Sequence, residues 1–403
     1  MTSDQANALA KTVLLHKDAS AIAKLSAAAV AGDANAQNSL GSIYYLEAKT
    51  PQDLAQARFW YVQAAAQGNA DAQDVLGGMY YEGRVLPQNY AVAASWYRKA
   101  AEQGNADAED SLGFMYHRGQ GVPRDDTLAL FWHRKSADQD DAMAQYNLGV
   151  MYANGQGVPK DFDRAAFWYR KAAEQGFPQA QNKLGLMYQT GQGVPQDFAT
   201  AVLWYRKAAE QGNADAENNL GVMYVKGQGV PQDDTQALFW YRKAAAQGEA
   251  TAQKNLGSLY VNGQGVQRDY GQALSWYRKA AEQGNADAEV NLGIMYVKGQ
   301  GVPQDDAQAA LWFRKAAAQG VADAQYNLGN MYFNGRGVPQ DYAQALSWFR
   351  KAAAQGVADA QYNLGNMYVN GLGVPQDDAQ AALWFRKAAT QGVAKAQYNL
   401  GYM

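Results

Sequence analysis

Asp323, Asn327, Asn330 and Asn334 stand at i, i+4, i+7 and i+11, and Asp359, Asn363, Asn366 and Asn370 repeat the pattern 36 residues later. On a helix that spacing gathers four polar side chains into one narrow stripe. An asparagine amide both donates and accepts, so a row of them can hold the backbone of an extended chain. Tyr326, Tyr362 and Phe333, close by in sequence, would add flat apolar contact. The chemistry this predicts is recognition rather than bond-making. Asparagine also precedes a leucine at Asn147, Asn219, Asn255, Asn291 and Asn399. The competing expectation is that these amides are ordinary polar surface or bond to a neighbouring unit's backbone.

Bond-making chemistry has fewer candidates. Of the three histidines, His117 and His133 fall in one irregular stretch of the chain. No cysteine joins them and their spacing fits no metal-ligand motif, so surface variation is expected rather than a metal or acid–base pair. Gly-x-Gly-Val-Pro recurs eight times with small variations. A glycine-rich turn before a helix can cradle phosphate, but here the Walker lysine and a preceding strand are missing. The pattern reads as structural punctuation. Pairs such as Arg170-Lys171, Arg206-Lys207 and Arg242-Lys243 form a basic ladder, and Asp233-Asp234 and Asp305-Asp306 an acidic one; weak surface pairing between the two is expected. Catalytic residues, a metal and a cofactor are all expected to be absent.

The elements that must position these residues repeat. All ten tryptophans, from Trp60 to Trp384, lie on a 36-residue step without insertion or deletion. In residues 213–248, Ala216, Leu220, Met223 and Tyr224 mark one helix face. Gly221 leaves room there for another helix to approach, and Gly227 is a plausible left-handed stop. After the connector, Asp233 and Gln236 suggest a capping box. Ala237, Trp240, Tyr241, Ala244 and Ala245 mark a second face, and Gly248 ends it. Neither helix can bury its aromatic face alone, so units must stack, with tryptophan as the expected buried anchor. The fold class is all-α: antiparallel helix pairs in tandem, forming one elongated solenoid.

Bulk properties narrow the partner. With 35 Lys and Arg against 38 Asp and Glu, net charge is −3, which leaves no basic footprint for nucleic acid or anionic membrane. No run approaches the ~18 apolar residues of a membrane span. The start, Met1-Thr2-Ser3-Asp4-Gln5, lacks a signal's basic and apolar regions. A cytoplasmic chain is expected, or a periplasmic or secreted one whose signal was removed.

The repeated Ala-x-x-x-Leu-Gly-x-Met-Tyr-x-x-Gly-x-Gly-Val-Pro-x-Asp, then Ala-x-x-Trp-Tyr-Arg-Lys-Ala-Ala-x-Gln-Gly, resembles the Sel-one-like repeat (SLR) family, relatives of tetratricopeptide repeats, over residues 34–403. The resemblance implies a right-handed superhelical solenoid acting as an adaptor for protein or peptide partners. In tetratricopeptide relatives, first helices line a concave groove. Asparagines at the slots of Asn330 and Asn363 there hold a peptide backbone or terminal carboxylate. Tyr326 stands where that clamp has a lysine, a departure from the carboxylate-binding pattern.

Three domains are expected: degenerate capping helices at 1–33, ten repeats at 34–392 and a partial repeat at 393–403. Lys24 takes the tryptophan slot of the cap, and the connector Glu47-Ala48-Lys49-Thr50-Pro51 lacks both glycines, so its turn must differ. In the third repeat His133 follows Trp132 and Asp140 replaces the stop glycine, while Phe177-Pro178 opens a later helix. The expected function is a non-enzymatic scaffold binding protein or peptide on the first-helix face, through Asn327, Asn330, Asn334, Asn363, Asn366, Asn370, Tyr326, Tyr362 and Phe333. The alternatives are a hydrolase using the irregular third repeat, or a structural protein self-associating through the C-terminal half-repeat.

Overall fold

The computed structural model describes all 403 residues, and they form 23 helices and no strand. Contacts between helices divide the chain into two compact units, Met1–Ala208 and Ala209–Met403. Unit 1 contains α1 (Ser3–His16), α2 (Ala19–Val30), α3 (Ala34–Leu46), α4 (Pro51–Ala66), α5 (Ala70–Glu82) and α6 (Tyr90–Glu102). It continues with α7 (Ala106–Arg118), α8 (Asp126–Ala137), α9 (Ala142–Asn154), α10 (Phe162–Glu174), α11 (Pro178–Thr190) and most of α12 (Phe198–Glu210). Unit 2 contains α13 (Ala214–Lys226), α14 (Asp234–Ala246), α15 (Ala250–Asn262), α16 (Tyr270–Glu282), α17 (Ala286–Lys298) and α18 (Asp306–Ala318). It ends with α19 (Ala322–Asn334), α20 (Tyr342–Ala354), α21 (Ala358–Asn370), α22 (Asp378–Thr390) and α23 (Ala394–Tyr402). Within each unit the helices pack in chain order, most closely inside a pair such as α7 with α8 or α19 with α20. Each unit is an α-solenoid.

Glycine and one aromatic ring set the spacing inside a pair. A Cβ on Gly221 would sit 2.6 Å from the Tyr241 ring, and one on Gly329 would sit 2.7 Å from Phe349. The glycine of Leu-Gly is therefore the hole that receives the ring following each tryptophan. Tyr205, Phe349 and Phe385 are almost fully buried this way. This revises the expected anchor: nine of the ten tryptophans are only half-buried, Trp168 being the buried exception. Half-buried tryptophans instead lean on an adjoining pair, as Trp96 packs against the cluster of α4 and α5, and Trp60 against that of α1 to α3. In the cap, Lys24 is exposed and Leu25, in the ring's slot, is buried.

A second glycine ties consecutive pairs together. Gly157 has φ +69°, and a Cβ there would collide with the Asp126 carbonyl at the start of α8. Gly227 and Gly248 hold the left-handed φ expected of helix stops, and Asp140 adopts φ +64° in place of a glycine. Asp233 caps α14 by accepting from the Thr235 and Gln236 amides. Reciprocal capping boxes close at Thr2 with Gln5 and at Thr50 with Asp53. The latter starts α4 at Pro51 and lengthens it to 16 residues, so the glycine-free connector does form a different turn.

Buried polar groups form a ladder between pairs. Gln103 Nε2 donates to Gln73 Oε1 at 2.8 Å, and Gln283 to Gln253 at 2.9 Å. The lower glutamine in turn donates to a backbone carbonyl, as Gln73 does to Ala65 at 3.1 Å. In three rungs a glutamate replaces it: Glu109, Glu217 and Glu289 accept from Gln139, Gln247 and Gln319. Satisfied buried polar groups specify register between neighbours.

The basic ladder does not pair with the acidic connectors as expected. Lys99, Lys279 and Lys351 lie over Trp96, Trp276 and Trp348 at 4.1–4.2 Å from the ring centres. Arg98, Arg242 and Arg350 donate to the hydroxyls of Tyr116, Tyr260 and Tyr368 in the following helix. The connector aspartates are occupied as helix caps, and Arg336 with Asp306 at 3.0 Å is an exception.

Candidate partner-binding faces

The first helices of unit 2 carry the asparagines because the buried positions of the heptad-like pattern, such as Ala324, Leu328 and Met331, leave the intervening face to solvent. Asn327 and Asn330 are half-buried and Asn334 is exposed; Asn363, Asn366 and Asn370 repeat this one pair later. Asn363 Nδ2 donates to Asn330 Oδ1 at 3.1 Å, and Asn399 Nδ2 to Asn366 Oδ1 at 3.4 Å. Asn334 and Asn370 donate to the carbonyls of Asn330 and Asn366 within their own helices. Between neighbouring helices the amides of Asn363 and Asn399 thus bond side chain to side chain, while Asn334 and Asn370 bond to backbone of their own helix.

The structure brings only part of the expected constellation together. Asn327, Asn330 and Asn334 line one pocket of about 300 Å³ with Ile294, Met331, Lys298 and Arg336. Asn366 lines another, of about 250 Å³, with Val369, Tyr398 and Asn399. Tyr326 rests on Phe349 at 6.0 Å between ring centres, and Tyr362 on Phe385 at 5.8 Å. Phe333 packs on Tyr342 at 5.3 Å. These three rings are half-buried and offer less apolar area than their sequence suggests. Tyr398 and Tyr402 on α23, and Met403 after it, are exposed.

Unit 1 holds a pocket that sequence reasoning missed. It measures about 410 Å³ and is lined by Tyr81, Tyr97, Phe114, Tyr146 and Phe177, with Met143, Asn147 and the buried Asp110. Tyr81 and Phe114 meet edge to face at 6.5 Å, and Tyr146 and Phe177 tilt together at 5.4 Å. Phe177 was legible only as an oddity before Pro178. The pocket's lining comes from α5, α6, α7, α9 and the start of α11.

His133 belongs to this region and is not surface variation. It replaces the buried ring of its pair, lies 3 % exposed against Gly113, and its Nδ1 is 2.6 Å from Asp110 Oδ1. Asn147 Nδ2 donates to the same carboxylate at 3.0 Å. His117 is half-buried and bonds a different carboxylate, Asp126, at 2.7 Å. The two histidines therefore share no partner. Asp74, on the neighbouring helix, is pushed up to about 7 by burial and by the charges of Asp107 and Asp71. Burial raises Asp141 too, with Asp110 and Asp107 adding to it. Burial also raises the Tyr97 phenol, which faces Asp74.

With the 36-residue helix pairs established, comparison with known proteins is direct. The Sel1 repeat matches ten consecutive full copies, from residues 34–69 to 358–393, and a partial one at 394–403. The chain belongs to the Sel1 repeat family. A protective antigen present in uropathogenic Escherichia coli strains, displaying an SLR fold, is 40 % identical. That match covers 94 % of this chain and 90 % of that one, with a TM-score of 0.55. A Sel1 repeat protein from Oxalobacter formigenes is also 40 % identical, over 76 % of this chain and 89 % of its own, with a TM-score of 0.58. No curated protein matches. In this chain the glycine–ring contacts and glutamine rungs lie inside the stack, and polar first-helix slots differ from copy to copy. No helix here is long and apolar enough to cross a membrane.

Proposed function

We propose that this Sel1 repeat protein is a non-enzymatic scaffold that docks a protein or peptide segment on the first-helix face of unit 2. The observation that carries the reading is the pocket where Asn327, Asn330 and Asn334 converge beside Lys298 and apolar Ile294 and Met331. Amides offering donors and acceptors suit an extended backbone, and the apolar floor takes a side chain from it. Lys298 supplies positive charge on that face, opposite in sign to the carboxylates of unit 1. Tyr326, Tyr362 and Phe333 contribute apolar contact. The segment runs over Asn363, Asn366 and Asn370 in the next pair.

The test replaces Asn327, Asn330, Asn363 and Asn366 with alanine together, on the full chain. A partner captured by cross-linking should lose at least tenfold in affinity while the helical circular dichroism spectrum is kept. Undiminished binding by the folded variant sinks the reading. Mass measurements over a range of concentrations identify the other outcome, self-association through α23.

A further inference from the structure

We propose that the aromatic pocket of unit 1 receives a cationic side chain, arginine or lysine, of a protein partner, seated among Tyr81, Phe114, Tyr146 and Phe177 against the buried Asp110 carboxylate. That the partner is a protein rests on the scaffold reading; the pocket itself involves none of the asparagines invoked in unit 2. Aromatic faces are electron-rich and attract a cation most strongly where water is excluded. A buried cation also needs a carboxylate, because desolvation without a counter-charge is costly. Asp110 is 8 % exposed and lines the pocket. His133 and Asn147 hold it in place through Oδ1, and Oδ2 accepts only a 3.3 Å contact from Asn147, so this oxygen keeps acceptor capacity towards the pocket.

The surrounding charge favours a cation over a neutral apolar guest. Asp71, Asp74, Asp107 and Asp141 come from the same stretch of first helices and their capping residues, and burial, with neighbouring carboxylates adding to it, raises Asp74 and Asp141. Against them stands Arg118, whose guanidinium lies 5.4 Å from the Phe114 ring centre. The chain's own arginine thus already uses one of these rings as a cation platform. A volume of about 410 Å³ leaves room for a guanidinium, its methylene stem and flanking backbone.

Three probe peptides decide it: acetyl-Gly-Arg-Gly-amide, its lysine counterpart and its norleucine counterpart, titrated into the full chain labelled on methionine methyls. Met143 lines the pocket and is the reporter, assigned by Met143→Leu. The arginine and lysine peptides should shift that signal, and norleucine should bind at least about fivefold more weakly. Asp110→Asn should weaken the cationic peptides by a similar factor. Because Asp110 is bonded to His133, Phe177→Ala serves as a second variant that leaves the carboxylate in place, and it too should weaken them. Norleucine binding as well as arginine, no shift with any peptide, or shifts unaltered in both folded variants would each overturn the proposal. Peptide binding at Met143 is read without the unit 2 partner, so failure here leaves the asparagine face to be judged by its own test.

Discussion

The first-helix faces of the two units are built on one repeat yet carry different chemistry. At the slot two residues before each Leu-Gly, unit 1 has Asn38, Asp74, Asp110, Tyr146 and Asn182. Unit 2 has Asn218, Lys254, Val290, Tyr326, Tyr362 and Tyr398. Unit 1 sets the Asp110 carboxylate in an aromatic pocket, whereas unit 2 lays asparagines beside Lys298. Beneath both faces the glycine hole, the buried ring and the glutamine rung scarcely change. The difference shows where a repeat can vary: positions that touch only their own neighbours' surface are free, while those that set inter-helix distance are not.

Removing the ring should break the shared part first. Phe349→Ala in unit 2 should cost about 3–5 kcal/mol. His133→Ala in unit 1 should cost a similar amount, because it opens a smaller hole but leaves a buried carboxylate with Asn147 as its one remaining partner. Chemical denaturation followed by hydrogen exchange in each unit measures both. If His133→Ala is silent while Phe349→Ala is not, the third repeat is not packed like the rest. Filling the hole from the other side costs less. Gly329→Ala and Gly113→Ala put a Cβ 2.7 Å from Phe349 and 2.9 Å from His133. Each should lose about 1–3 kcal/mol, against the ~1 kcal/mol that alanine gains in helix propensity. A stabilising alanine at either site would show that the ring is free to move away.

The carboxylates give unit 1 a pH response that the asparagine face of unit 2 should lack. Asp74 titrates at about 7 in the folded chain against 3.8 for the ordinary carboxyl. Between those values the folded state holds the proton that the unfolded state has released, so stability falls as pH rises from about 4 to 7. Asp74→Asn removes the penalty and should stabilise unit 1 by about 1–2 kcal/mol at pH 8, with little effect at pH 4. Equal effects at both pH values would mean that Asp74 is not the titrating group.

The pairing of helices, their stops and the connector turns were legible because glycine, proline and aspartate impose local geometry wherever they fall. The tryptophan step marked the period correctly but misassigned the anchor. A ring one residue further on faces the glycine, and 100° of helix separates the two. Glutamine rungs escaped notice because Gln73 and Gln103 are 30 residues apart and share no local motif. The unit 1 pocket escaped for a similar reason: Tyr81, Asp110 and Tyr146 lie on separate helices, Phe177 precedes a fourth, and no single motif contains them. By contrast, Asn327, Asn330 and Asn334 share one helix, where spacing alone gathers them. His133 was misread because a polar residue in an aromatic slot looks like drift until its carboxylate partner, 23 residues away, is seen.

The smallest expected effect concerns a rung where the two kinds of residue meet. Glu217 is fully buried, accepts from Gln247 at 2.7 Å, and has the Lys243 ammonium 3.1 Å from Oε1, in charge contact but off hydrogen-bonding geometry. Lys243 stands 4.9 Å from the Trp240 ring centre and Lys135, which pairs with Glu109, stands 5.0 Å from that of Trp132, whereas Lys315, Lys279 and Lys351, which form no ion pair, lie at 4.1–4.2 Å from theirs. Glu217→Gln loses the ion pair, gains the desolvation energy of a buried carboxylate, and lets the lysine settle on the indole. These terms oppose one another, so stability should change by no more than about 1 kcal/mol in either direction. A crystal structure of the variant should show Lys243 closer to Trp240. A loss of several kcal/mol would instead mean that the glutamate rungs are specific ion-pair sites, and that unit 2 is held by charge where most of its neighbours use amides.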